Sequence, residues 1–213
     1  MASEDEWLEL RERMVAAVAN EVRPRDRRVL EAFRRIPRHL FVPESERRWA
    51  YEDHALPIGD GQTISQPSMI AIMLDALECD ADSRVLEIGA GSGYAAALLS
   101  CLARRVDAIE IRPALAERAI RTLATLGIDN VRIHVRDGNL GLPEAAPFDR
   151  ILVSAAPERV PEALIRDLAP GGRIAIPVGS RHDQVLWVGE RDDQGRVRYV
   201  KDVPCVFVPL VSA

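Results

Sequence analysis

A short apolar run that ends in three glycines at alternate positions restricts this chain more than any other feature. Residues 84–94 read Arg-Val-Leu-Glu-Ile-Gly-Ala-Gly-Ser-Gly-Tyr, and an Ala- and Leu-rich stretch, 95–103, follows. Val85, Leu86 and Ile88 suit a buried strand, and the stretch after the glycines suits a helix packed on it. Gly89, Gly91 and Gly93 stand where a strand turning straight into a helix needs backbone angles closed to other residues, and where a ligand can approach the main chain. Strand, tight turn and helix in that order predict an α/β domain with a nucleotide-like ligand at the turn. The spacing then separates ligands. A dinucleotide fingerprint is Gly-x-Gly-x-x-Gly over a pyrophosphate, whereas here the third glycine comes one residue early and Tyr94 takes the last place. S-adenosylmethionine is favoured over NAD, with Glu87 before the loop among its expected contacts.

The rest of the second half fits that frame. Residues 105–110 read as the next strand and end in Glu110, about 20 residues beyond the first glycine, where an acid accepts from both ribose hydroxyls. A helix over 112–126 stops at Gly127, and 131–135 is a third strand. After it, Asp137 can accept from an adenine amino group while the Gly138 amide donates to a ring nitrogen, although Asp-Gly is also a plain turn. Strands over 148–153 and 173–178 flank a helix at 161–168, and 184–189 and 196–208 alternate as an antiparallel pair around a turn at 192–195.

The first half reads differently. Ser3 and Glu6 form a capping box, and Trp7, Leu10, Met14, Ala17 and Val18 recur at helical spacing. A second helix is expected from near Pro24, burying Val29, Leu30, Phe33 and Ile36 until Pro37 stops it, with 37–43 as an extended linker. His39 and His54 beside aromatic residues are expected to be packed side chains rather than ligands or bases. Residues 55–67 are too broken by Gly and Pro for a regular element, yet too apolar for a free linker, so they should lie folded over something. A helix over 68–77 leads to the glycine-loop strand.

At 213 residues the chain suits one domain, 1–213. No apolar leader follows the acidic N-terminus and no uncharged run is long enough to span a membrane, so a cytoplasmic protein without membrane contact is expected. Three distant cysteines suggest neither disulfides nor a metal site. A net charge of −5 argues against a general nucleic-acid binder, although 23–48 holds nine arginines against four acids. That cluster reads as a solvated helical face, with an acidic patch on a partner as the alternative.

Residues 154–157, Ser-Ala-Ala-Pro, stand where an acceptor would meet the methyl group. They offer neither the Asn/Asp-Pro-Pro-aromatic set used on amino nitrogens nor a cysteine nucleophile, and they suit an acceptor that is already anionic. The runs 39–42, 55–59, 61–67, 85–94, 146–149, 168–178 and 207–210 resemble the protein-L-isoaspartate O-methyltransferases, most specifically in the Gln-Thr-Ile-Ser-Gln-Pro run of 62–67.

The resemblance implies a Rossmann-like S-adenosylmethionine-dependent methyltransferase fold: a mostly parallel sheet, a C-terminal antiparallel hairpin and an N-terminal helical extension. On that plan 1–78 supplies helices and the substrate loop, and 79–213 the cofactor core. It implies methylation of the free α-carboxylate of L-isoaspartyl residues in damaged proteins and peptides; a monomer is expected, although the sequence does not give the oligomeric state. The resemblance makes Ser65 the active-site position, orienting the substrate carboxylate without acting as nucleophile, and Ile64 and Val208 contacts to an extended peptide. A related enzyme acting on aspartate in a dedicated peptide is the alternative; a small-molecule methyltransferase and a cofactor-binding protein without turnover are weaker.

Overall fold

In the computed structural model, which describes residues 3–180 and 182–212, the expected capping box opens helix α1 (Glu4–Glu21). The Ser3 hydroxyl accepts from the Glu6 amide at 3.2 Å, and the Glu6 carboxylate accepts from the Ser3 amide at 2.6 Å. Met14, Val15 and Val18 face inward, while Ala17, expected among them, lies exposed off the centre of that arc. Helix α2 (Arg27–Arg35) starts later than Pro24 suggests, because Asp26 caps it by accepting from the Arg28 amide at 2.9 Å.

The extended linker expected over 37–43 is instead a 3-10 turn, Arg38–Phe41, closed by the Leu40 amide on the Pro37 carbonyl at 3.0 Å. That turn carries Arg38 inward to 0 % exposure, so this arginine leaves the solvated face expected of its cluster. The irregular segment after it is also more ordered than expected. β1 (Leu56–Gly59) and β2 (Gln62–Ile64) pair antiparallel, because Asp60 and Gly61 both take the positive φ (52° and 68°) that a two-residue hairpin turn requires.

From α3 (Pro67–Leu77) onward the elements alternate: β3 (Arg84–Ile88), α4 (Tyr94–Ser100), β4 (Arg105–Glu110), α5 (Pro113–Thr125), β5 (Val131–Val135), β6 (Phe148–Val153) and α6 (Glu162–Asp167). β7 (Leu168–Ser180), β8 (Asp183–Arg191) and β9 (Val197–Cys205) complete the chain of strands. β7 begins at Leu168, ahead of the strand expected from 173, because Leu168 already pairs with Phe148 before the register slips.

One sheet runs β5-β4-β3-β6-β7-β8-β9. The first five strands are parallel, and β8 and β9 add the antiparallel hairpin. Its residues alternate between two apolar cores: Val85 and Leu152 face the N-terminal helices, whereas Leu86, Ile88, Ile151 and Val153 face the α6 side. β3 feeds β4 on one side and borders β6 on the other, which opens a crevice at their C-terminal ends. Among the described residues no helix is long and apolar enough to cross a membrane, and no cluster of His, Cys, Asp and Glu could hold a metal.

Candidate active site

The glycine loop is pinned before any ligand arrives. The Gly89 and Ala90 amides both donate to the Ile109 carbonyl at 2.9 Å, which ties the loop to the end of β4. Glu110 then acts as a clasp: Oε2 accepts from the Gly91 amide at 2.7 Å and Oε1 from the Arg112 amide at 2.9 Å. It is only 5 % exposed, and each oxygen keeps a lone pair. Glu110, Gly89 and Gly91 line a crevice with Gly138, Ser154 and Leu210.

The remaining expected cofactor residues divide. Gly138 lies on the crevice wall, where an added Cβ would sit 2.5 Å from Ile88 Cγ2. Asp137 holds that turn by accepting from the Asn139 amide at 2.8 Å and from Asn139 Nδ2 at 2.9 Å. Gly93 faces away: it has φ +84°, and a Cβ there would lie 3.0 Å from Ala119 Cβ, so its glycine serves the close approach of α4 to α5.

Glu87 is fully buried beneath the loop. Its Oε1 has only a long contact at 3.5 Å from the Ser154 hydroxyl, and Oε2 has no partner among the described residues. Burial pushes its carboxyl up to about 8, and the neighbouring Glu110 charge adds to the shift. It shares a narrow cleft with Ser65, Ser154 and Tyr94.

Beyond the cleft lies a cavity of about 480 Å³, lined by Ser65, Gln184, Cys205 and Val208 among others. Ser65 borders cavity and cleft, Val208 borders cavity and crevice, and Ile64 is buried and borders the cleft. Thr63 and Ser154 border all three spaces. The β1–β2 hairpin lies over the loop, its Ile58 Cδ1 3.1 Å from where a Gly91 Cβ would stand, and Arg118 of α5 donates to the Ile58 carbonyl. The segment after β9 returns to the end of β6: the Ala156 amide donates to Val208 O at 2.8 Å, and the Leu210 amide to Ala156 O at 2.9 Å.

Thr63, Gln184 and Cys205 were not singled out by sequence reasoning. Gln184 is buried at 6 % exposure, accepts from the Phe207 amide at 2.6 Å and donates to the Phe207 carbonyl at 3.1 Å. A polar residue on an alternating strand gives no hint of that bond. The Cys205 thiol is pushed up to about 11 by burial, so it stays protonated at neutral pH and is no nucleophile.

The sequence profile of the protein-L-isoaspartate(D-aspartate) O-methyltransferases matches residues 9–213. A protein-L-isoaspartate O-methyltransferase of Roseiflexus sp. (strain RS-1) is 54 % identical over 189 residues, which covers 88 % of this chain and 86 % of that protein. One from Methanopyrus kandleri is 46 % identical over 217 residues, covering 100 % and 96 %. A solved protein-L-isoaspartate O-methyltransferase superposes with a TM-score of 0.82 at 31 % identity, covering 93 % of this chain and 65 % of that longer one. A putative protein-L-isoaspartate O-methyltransferase from Plasmodium falciparum, in complex with S-adenosyl-L-homocysteine, gives 0.79 at 25 % identity, covering 94 % and 97 %. With a profile match that runs through the hairpin, the glycine loop and the returning C-terminal segment, this chain belongs to the protein-L-isoaspartate(D-aspartate) O-methyltransferase family.

Proposed function

We propose that this protein transfers a methyl group from S-adenosylmethionine to the free α-carboxylate of L-isoaspartyl residues in damaged proteins and peptides. The observation that carries the reading is the common wall: Thr63 and Ser154 border the glycine-loop crevice, the cleft and the cavity, so ligands in the first and last would meet there.

The residues present fit the cofactor. Glu110 would hold the ribose hydroxyls through lone pairs left over from its two backbone bonds, Asp137 and the Gly138 amide would meet the adenine, and Gly89 and Gly91 would let it close on the main chain. The unpartnered Oε2 of Glu87 is a buried acceptor suited to the cationic amino-acid end. Gly93 sets the helix behind the loop. When bound, S-adenosylmethionine supplies an electrophilic methyl on a sulfonium centre.

The Ser65 hydroxyl then donates to one oxygen of the acceptor carboxylate and leaves the other aimed along the methyl–sulfur axis. That oxygen would accept the methyl group, and because the acceptor carboxylate is already anionic no residue of this chain would have to remove a proton. This explains why small residues suffice at 154–156. Backbone groups of Ile64 and Val208 would flank an extended peptide.

On this reading residues 1–78 supply the helices and the substrate loop, 79–213 supply the cofactor bed, and Ser154, Gln184 and Val208 of the second part also border the substrate cavity of what is a single unit. We also infer a cytoplasmic protein, since the methyl donor is an intracellular metabolite, that acts as a monomer; light scattering on the purified protein tests the assembly. The reaction is tested by methyl transfer from labelled S-adenosylmethionine to two peptides that differ only in isoaspartate or aspartate at one position. Selective labelling of the isoaspartyl peptide is expected. Labelling of the aspartyl peptide would point to a dedicated-peptide enzyme, and labelling of neither would overturn the peptide reading.

A further inference from the structure

The arginines of 23–48 have unequal surroundings. Arg25 pairs with Asp75 and Glu78, Arg28 with Asp26, and Arg34 with Glu12 and Glu31, all near the surface. Arg38 is fully buried, and among the described residues no carboxylate forms an ion pair with it. Its Nη2 donates to the main-chain carbonyl of Ser65 at 2.8 Å and more weakly to that of His54 at 3.5 Å, while Nε and Nη1 have no partner. The guanidinium carbon lies 4.9 Å from the centre of the Tyr94 ring. Asp53, whose charge also acts on Arg38, has a carboxylate oxygen bonded to the Ser68 amide at 2.7 Å.

A buried guanidinium without a carboxylate is costly, and apolar replacements of buried charges are often neutral or stabilising. Stability therefore gives no reason to keep Arg38. Its contacts do, because they join the two halves of the site. Ser65 belongs to the substrate loop, and Tyr94 is the first residue of α4, directly after the glycine loop, and borders the same cleft as Glu87. We propose that Arg38 is a positioning residue for methyl transfer: it fixes Ser65 against the glycine-loop helix, and its buried charge, which has no ion-pair partner in contact among the described residues, favours an anionic acceptor beside Ser65. The inference rests on the reading of Ser65 as the residue that orients the acceptor. Lysine keeps the charge and could reach a carbonyl, but it lacks the planar group that lies 4.9 Å from the centre of the Tyr94 ring, so it would hold Ser65 without the link to α4.

The test uses Arg38→Lys and Arg38→Met in the full chain, each checked by thermal melting and by titration with S-adenosylhomocysteine before kinetics. Arg38→Lys is expected to bind S-adenosylhomocysteine within about threefold of the parent and to lose roughly ten- to a hundredfold in kcat/KM for an isoaspartyl peptide. Arg38→Met, without the charge, is expected to lose more, chiefly through a higher peptide KM. Adding Ser65→Ala to Arg38→Lys should lower kcat/KM by less than Ser65→Ala does alone, because the hydroxyl is already displaced. Cofactor affinity and peptide kinetics falling together with the melting temperature would overturn the proposal, as would full additivity with Ser65→Ala. Failure of both Arg38 variants to fold would assign it a structural role instead. An inert Ser65→Ala in the parent would overturn the role of the hydroxyl alone; the Arg38 bond is to the main chain, and the Lys variant then decides.

Discussion

On the cofactor side of the site, the groups that face the crevice come from the ends of adjacent strands and are held by backbone bonds already in place: Gly89 and Ala90 on Ile109, Glu110 on Gly91 and Arg112. On the substrate side, Ser65 and Val208 come from segments far apart in the chain and are held by a few separate bonds: Arg38 to Ser65, the two between Gln184 and Phe207, and Ala156 to Val208. A bed made of strand ends is fixed by the same forces that fix the sheet. A cover made of loops is fixed one contact at a time, so changes there should reach the peptide without reaching the cofactor.

The sharpest way to break this contrast is Glu110→Ala. It removes two charge-assisted bonds of about 1.5–3 kcal/mol each, together with the proposed ribose acceptor, so S-adenosylhomocysteine affinity should fall by roughly 10²- to 10⁴-fold in calorimetry. A loss below tenfold would mean that the loop holds itself and the contrast fails. Glu87 gives the next effect. Its carboxyl titrates at about 8 instead of near 4.5, so between those values the folded protein binds a proton that the unfolded chain has released. Stability in the absence of ligand should therefore fall as pH rises through that window, by a few kcal/mol, since each tenfold difference in proton affinity between the folded and unfolded chain is worth about 1.4 kcal/mol. Urea midpoints at pH 5.5 and pH 8 should differ less in Glu87→Gln than in the parent.

Two smaller changes probe the cover. Ser65→Ala removes one hydrogen bond to a charged group, about 1.5–3 kcal/mol, and should cost ten- to a hundredfold in kcat/KM with cofactor affinity unchanged. An unchanged rate would end its proposed role. Gln184→Leu leaves the Phe207 amide and carbonyl without their partner, at about 1 kcal/mol expressed in the position of the segment. The peptide KM should rise about fivefold while S-adenosylhomocysteine titrates normally; a parallel loss of both affinities would show that the two sides are one body.

The same contrast decides what could be read from the sequence. Glu87, the glycines and Glu110 were legible because strand, turn and strand end follow one another, so spacing along the chain is nearly spacing in the site. Gly93 shows the limit, since its place in the motif did not reveal that it faces Ala119. Ser65 was reached through the family resemblance of 62–67 and not through its chemistry. Gln184 was missed because nothing local distinguishes a polar strand residue that bonds a distant segment, and Thr63 because its place between the three spaces is set by the hairpin and not by its neighbours in sequence. Arg38 was hidden for another reason: it sits among arginines that do pair at the surface, and only the 3-10 turn between Pro37 and Pro43 sends it inward.

At the tip of the β1–β2 hairpin, Asp60 and Gly61 are both exposed, and an added Cβ on Gly61 would meet nothing within 4 Å. Such a pair is open to attack of the glycine amide on the aspartate side chain, since no Cβ shields the nitrogen. Reopening of the ring on its other side would leave a chain longer by one methylene in a turn of only two residues, and the pairing of Gly59 with Gln62 could not keep its register. The cover over the glycine loop therefore has a chemical lifetime as well as a thermodynamic stability, set by the same rearrangement that creates the substrate of this family.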